Sequence, residues 1–117
     1  MTLEEFKRKI RTCWSKDTAY RGIWSKDNPA RNQCAVTALL VQDEFGGVIY
    51  KCKYTNGDSH YWNVLSDGAV LDLTGEQYAE GTITRVDNSE SLADRAKMLA
   101  GEDTESRYMI LKERLSR

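Results

Sequence analysis

The stretch NQCAVTALLVQDEFGG (residues 32–47) decides the fold of this chain. From Cys34 to Val41 the residues are apolar on almost every side of a helix, which is typical of a helix buried in a protein interior. A polar end at 42–44 follows, and Gly46-Gly47 supplies the stop signal found after many helices. The stretch therefore predicts a central helix over 34–45 that begins with a cysteine.

The flanking segments predict further helices and an antiparallel sheet. Apolar residues at helical spacing behind the cap residue Thr2 predict a helix over 2–13. Alternating segments separated by the turn signals NGD and SDG predict strands over 48–54, 60–65 and 69–73. The remaining expectations are a short helix at 73–81, a brief strand or extended connector at 82–86, and helices at 89–100 and 104–115.

We therefore expect an α+β fold. Its N-terminal helices would include a buried central helix, packed on a small antiparallel sheet of three or four strands, and C-terminal helices would complete it. The chain has 117 residues, which fits a single domain over 1–117.

Charge and hydropathy argue against nucleic-acid binding and against a membrane protein. The 17 basic and 18 acidic residues give a net charge of −1, which offers no basic patch for nucleic acid. No apolar run is long enough to span a membrane, and the charged N-terminus is unlike a secretory signal. We expect a cytoplasmic protein that binds neither nucleic acid nor membrane; the oligomeric state is left open.

The cysteines argue against a disulfide framework and against a zinc site. There are three of them, Cys13, Cys34 and Cys52, an odd number at wide spacing. Without a CxxC pair, and with a single histidine, the chain has no ligand pattern for structural zinc. We expect no metal and no organic cofactor.

Cys34, His60 and Asp72 form a candidate catalytic triad. The thiolate is the nucleophilic form of cysteine, and a helix N-terminus favours negative charge. An imidazole can accept the thiol proton, and a carboxylate on the other ring nitrogen fixes the tautomer. The backbone N–H of Cys34 can help to hold an oxyanion.

The hairpin register decides whether this triad can form. A three-residue loop at 66–68 pairs Trp62 with Asp72, which brings Asp72 to the face of His60. A two-residue turn would pair Asn63 with Asp72 and put the carboxylate on the opposite face. The SDG sequence favours the first register.

Each triad residue also has a purely structural interpretation. Cys34 can be a small hydrophobe in a packed helix, since free cysteine is among the most buried residue types. A single histidine in a strand is more often structural than catalytic, and Asp72 can cap the segment that follows it.

Three further residues are candidates for substrate contact. Gln33 can donate to an oxyanion or be a solvated loop residue, and Asn63 can orient His60 or a substrate, or pair across the hairpin. Trp62 can cover the site, although a core position is the default for tryptophan.

The sequence resembles one family over roughly residues 14–115. The segments NQCAVTALLVQDEFGG, HYWN, DG, LDLTGEQY and TESRYMILKERL are similar to those of the YunG-like family of small bacterial proteins. The resemblance implies a compact domain in which Gln33, Cys34, His60 and Asp72 fall in the distinctive motifs, and it strengthens Gln33 and Asn63 as oxyanion or substrate contacts. The order Cys, His, Asp on helix, strand, strand also resembles papain-like and transglutaminase-like enzymes.

The first expectation for function is a cysteine-dependent acyl-transfer enzyme that hydrolyses an amide, isopeptide or thioester in a peptide or small substrate. The alternative is a binding or regulatory module of the same fold with a structural cysteine, in which VIYKCKY (48–54) is an edge strand that receives a partner strand. A catalytic zinc site formed by Cys34, His60 and Asp72 ranks last.

Overall fold

The structure, a computed structural model, describes residues 1–75 and 83–117. Its helices are α1 (Leu3–Cys13), α2 (Cys34–Phe45), α3 (Arg95–Leu99) and α4 (Thr104–Leu115). Its strands are β1 (Val48–Lys53), β2 (Ser59–Val64), β3 (Val70–Leu71) and β4 (Ser91–Leu92). The expected α+β class is confirmed, with N-terminal and C-terminal helices around an antiparallel sheet. Most of the short helix expected at 73–81 lies outside the described residues.

Helix α2 is the centre of the larger core, as its apolar surface predicts. Val36, Leu39 and Val41 are fully buried, and α2 packs against β2, β1 and α4. Phe45 at its end meets Phe6 of α1 edge to face, with ring centroids 5.4 Å apart. The apolar sequence therefore becomes a helix enclosed by other elements, so its position relative to the sheet is held on several sides.

The turn after α2 is held by a polar contact and a close backbone approach. Gln42 donates its amide N–H to the carbonyl of Gly47 at 3.1 Å. Gly47 has a φ of +81°, and a Cβ there would lie 2.4 Å from the carbonyl oxygen of Val64. Only glycine satisfies both demands, so this turn fixes how β1 leaves α2.

The sheet has the strand order β3-β2-β1-β4 with antiparallel pairing. Asn63 pairs with Leu71 and Val64 with Val70, so the same register continues to Trp62 opposite Asp72. This is the register of the three-residue loop, which is confirmed. Asp72 therefore lies on the side of the sheet that carries His60.

Two apolar clusters lie on the two faces of this sheet. The larger one surrounds α2 and includes Ile49 of β1 and Leu71 of β3. The smaller one, on the opposite face, consists of Cys52, Tyr54 and Trp62 with Tyr50, Val64 and Ile83 packed against it. Because strand residues alternate between faces, β2 contributes to both clusters.

The segment over residues 89–100 differs from the expected helix. Ser91 and Leu92 form β4 beside β1, and α3 begins only at Arg95, where the Asp94 side chain accepts from the backbone N–H groups of the first turn. Leu92, expected on a buried helical stripe, is 60% exposed. The helix predicted over 89–100 is therefore wrong in its first half, because pairing with β1 and a cap at Asp94 outweigh its helical pattern.

Strand β1 is an interior strand, which corrects the expectation of a free edge. The edge that faces away from β2 pairs with β4, and beyond that pairing it is bonded to residues 84–86. Thr55 N–H donates to the carbonyl of Thr84, and Val86 N–H donates to that of Lys53, both at 2.8 Å. The backbone groups that a partner strand would need are already bonded within the chain.

Candidate active site

Cys34 is the first residue of α2 and is 9% exposed. Its thiol lies 3.8 Å from the carbonyl oxygen of Ser59, the first residue of β2. The backbone N–H groups of residues 34–36 precede the first bond of this helix, which runs from Thr37 N–H to the Gln33 carbonyl. The sulfur is therefore beside a helix terminus whose amides favour negative charge.

His60 connects Asp72 to Cys34. Its ring is fully buried, and Nε2 lies 2.9 Å from Oδ1 and 2.8 Å from Oδ2 of Asp72. The Cys34 side chain is the second group that raises the pKa of the ring, through hydrogen bonding and through its charge. Since Nε2 faces the carboxylate, Nδ1 is the ring nitrogen that remains for the thiol. The structure thus brings together the three residues that the sequence singled out, while their catalytic role stays a prediction.

The surroundings of His60 favour its charged form. Burial acts to lower the pKa of the imidazole, but hydrogen bonds with Asp72 and Cys34 and the charges of these two groups outweigh burial and raise the pKa to about 9. The ring is therefore an imidazolium at neutral pH. A charged ring between a carboxylate and a thiol is the arrangement that an ion pair with a thiolate requires.

Aromatic rings and an arginine enclose the His60–Asp72 pair. Trp62 stacks on the imidazole at 5.9 Å and Tyr54 meets it edge-on at 5.4 Å. The Arg85 guanidinium lies 4.3 Å from the Trp62 ring centre and 3.9 Å from Oδ2 of Asp72. Trp62 therefore packs beside His60 in the smaller cluster. Arg85 was not singled out from sequence, because only the fold brings its connector to this face.

Gln33 and Asn63 are both buried, and their side-chain amides donate to backbone carbonyls. Gln33 is fully buried and its Nε2 donates to the carbonyl of Ser15 at 3.0 Å. Asn63 points away from the His60 face and donates to the carbonyl of Ala38 in α2 at 2.9 Å. Both amides thus tie backbone segments together, and their contact with a substrate or an oxyanion stays a prediction.

A cavity of about 520 Å³ opens beside Cys34. Its wall includes Cys34, Ser59 and Tyr61 on one side and Lys97, Thr104 and Arg107 on another. His60 and Asp72 are not part of this wall. Of the three candidate residues, Cys34 is thus the one that a molecule in the cavity would meet. Arg107 is a polar residue of this site that sequence reasoning missed, since it reads as an ordinary surface position of α4.

Over residues 1–75 and 83–117, no group of three or more His, Cys, Asp or Glu side chains is arranged to hold a metal ion. The zinc alternative therefore has no ligand set in that part of the chain. None of the helices in the same ranges is long and apolar enough to cross a membrane.

Comparisons with known proteins identify the family. The model of the YunG protein family matches residues 2–117. A protein of Bacillus subtilis (strain 168) named "Uncharacterized protein YunG" is 36% identical over 76 residues, which are 65% of this chain. The chain spans 63% of the length of that relative. No solved structure gives a significant match. The chain belongs to the YunG family.

Proposed function

We propose that this protein is a cysteine-dependent acyl-transfer enzyme that hydrolyses amide, isopeptide or thioester bonds. Cys34 is the nucleophile, His60 the general base and acid, and Asp72 the carboxylate that orients the ring. The observation that carries the proposal is the buried His60 ring, which Asp72 bonds at 2.8 Å and whose pKa the neighbouring Cys34 side chain helps to raise. A histidine with a purely structural role would not need a potential nucleophile beside its ring, whereas a general base does.

The same three residues account for both half-reactions, the acylation of Cys34 and the hydrolysis of the acyl-enzyme. Thiolate attack forms a bond between Sγ and the acyl carbon, and the oxygen of the tetrahedral intermediate takes up the negative charge. The imidazolium then gives its proton to the leaving amine or thiol as the acyl–N or acyl–S bond breaks. His60 next accepts a proton from water, whose oxygen attacks the thioester, and the thiolate leaves to restore the ion pair.

The fold supplies stabilisation for each charge that develops. The backbone N–H of Cys34 lies at the start of α2, where it is available to the intermediate's oxygen. Asp72 stays a carboxylate and keeps the imidazole oriented throughout, as in other triads. The cavity at Cys34 has a volume within the usual range of small-molecule sites, roughly 300–1,000 Å³. It accommodates a small amide or the end of a peptide.

The rival proposal is a non-catalytic binding or regulatory module of the same fold with a structural cysteine. One way for such a module to bind, the addition of a partner strand at the edge of β1, is not open, because that edge is bonded to residues 84–93. The rival otherwise rests on an unreactive Cys34, which the experiment below tests directly.

The test is the rate at which iodoacetamide alkylates Cys34 across pH, resolved by residue with mass spectrometry. We expect Cys34 to react well below pH 7 and faster than Cys13 and Cys52, which are buried in the two apolar clusters. In His60→Ala the reaction below pH 7 should disappear, because no imidazolium accompanies the thiolate. A Cys34 rate with the same pH profile in both proteins would contradict the proposal.

A further inference from the structure

Arg107 of α4 is a buried cation in the wall of the Cys34 cavity. It is only 6% exposed. Its guanidinium donates to the carbonyl of Thr18 at 3.2 Å and to Oγ1 of Thr104 at 3.4 Å, both uncharged acceptors. Its Nε is buried and has no hydrogen-bond partner. A charged side chain of the cavity wall that is more than nine-tenths buried thus has one donor without a partner.

This guanidinium has no carboxylate within ion-pair distance among the residues that the structure describes. The cavity's other arginine, Arg21, is by contrast paired with Glu102 at 2.9 Å. Burial acts to lower the pKa of Arg107, as expected for a cation removed from water, while the charge of Cys34 acts in the opposite direction. The Tyr20 ring, whose centre lies 5.6 Å from the guanidinium carbon, is an uncharged partner. Burying a cation that has no anionic partner is costly, and an anion in the cavity would offset that cost.

The remaining charges of the cavity also favour an anionic guest. Its wall has the cations Arg21, Lys53, Lys97 and Arg107 and the anions Asp58 and Glu102. Glu102 is neutralised by Arg21, and Asp58 accepts from the side-chain amide of Asn56 at 3.0 Å. Arginine binds carboxylates with two parallel N–H groups, which makes it the residue best suited to such a guest.

We propose that Arg107 binds a carboxylate in the Cys34 cavity, so that the preferred acyl donor carries a free carboxylate near the bond that is cleaved. The second half of this statement rests on the proposed function. The first half does not, because a carboxylate site exists whether or not Cys34 turns over a substrate. The two halves are therefore tested separately.

The binding test uses the full-length Cys34→Ala protein and two matched probes, glutarate and its neutral diamide glutaramide, followed by NMR titration. We expect glutarate to shift backbone signals of the cavity wall and to bind at least tenfold more tightly than glutaramide. Adding Arg107→Gln should remove that preference. Equal binding of the two probes, or a preference that persists in Arg107→Gln, would overturn the carboxylate site.

Two control variants distinguish the loss of the carboxylate site from a loss of structure or of general positive charge. Arg107→Lys keeps the charge but not the paired N–H groups, so it should retain part of the glutarate preference. Arg21→Gln removes a cation of the same cavity that already has a partner, and we expect less than a threefold change. A larger loss in Arg21→Gln than in Arg107→Gln would show that general charge, and not Arg107, recognises the anion.

The preference for an acyl donor with a carboxylate is tested on the native protein by alkylation of Cys34. Iodoacetate carries a carboxylate where iodoacetamide carries a neutral amide. The ratio of their rates at Cys34, divided by the ratio for free cysteine, should be at least tenfold in favour of iodoacetate and should fall toward one in Arg107→Gln. An unchanged ratio would overturn the specificity. If Cys34 reacts with neither reagent, the proposed function fails, and the glutarate titration alone decides the carboxylate site.

Discussion

Both carboxylate oxygens of Asp72 lie within 3 Å of a single atom, Nε2 of His60, at 2.9 and 2.8 Å. This contact joins a residue at the start of β2 to one just after β3, and it exists only because the hairpin loop has three residues. It leaves the opposite edge of the imidazole for Cys34.

Asp72→Asn should lower the pKa of His60 from about 9 by at least one unit, because the amide keeps the shape but loses the charge. An NMR titration of the ring protons measures this without assignment, since the chain has one histidine. Alkylation of Cys34 below pH 7 should slow at least tenfold. Asp67→Asn, in the exposed hairpin loop, is the matched control and should change neither quantity.

The stability of the protein should decrease as the pH rises through the titration of His60. Its folded-state pKa of about 9 lies above the ordinary value of 6.5, so its stabilising contribution is fully present below pH 6.5 and is lost as the pH passes about 9. At about 1.4 kcal/mol per unit, the free energy of unfolding should fall by on the order of 3 kcal/mol. Urea denaturation at several pH values measures it. The slope should flatten in His60→Gln; an equally steep slope there would assign the effect to other groups.

Asn63→Ala should destabilise the fold by about 1–3 kcal/mol, because the carbonyl of Ala38 loses its buried donor. Urea denaturation gives the value, and Asn56→Ala, which removes an exposed amide from the β1–β2 turn, should cost less than about 0.5 kcal/mol. A change near zero in Asn63→Ala would mean that the amide does not hold α2 on the sheet.

Gly47→Ala should cost more stability than Gly46→Ala, although both positions have positive φ. At Gly46 a Cβ meets nothing within 4 Å, so the cost is backbone strain alone, roughly 1–3 kcal/mol for a residue with φ +75° and ψ −154°. At Gly47 the Cβ also meets the Val64 carbonyl at 2.4 Å, which forces β1 and β2 to shift. We expect the difference between the variants to exceed about 1 kcal/mol in thermal or urea denaturation, and equal costs would rule out the close approach.

Local patterns in the sequence predicted most of the fold. The bounds of α2 and α4 match the expected 34–45 and 104–115, because apolar periodicity and the glycines after α2 act within a few residues. The β2–β3 register followed from one short turn. The division of 89–100 into β4 and α3 did not follow, since Leu92 pairs with Tyr50, a residue far away in the sequence.

The same distinction separates the candidate site's predictable and unpredictable residues. Cys34, His60 and Asp72 are recognisable by residue type, by order and by hairpin parity. The roles of Gln33 and Asn63 depend on the backbone carbonyls of Ser15 and Ala38, which leave no trace in a side-chain pattern. Arg107 and Arg85 reach the site from distant segments, so only the assembled fold reveals them.

The two sides of the candidate site are held by apolar clusters of different size. The helix that carries Cys34 belongs to the larger cluster, whereas the His60 ring packs against Tyr54 and Trp62 of the smaller one. Proteins open in cooperative parts, and a part with fewer buried apolar groups opens at a lower free energy than the whole. Opening of the smaller cluster alone would separate the base from the sulfur while α2 stayed folded. The lifetime of the arrangement of Cys34, His60 and Asp72 is then set by this local unit, and the global melting temperature does not report it.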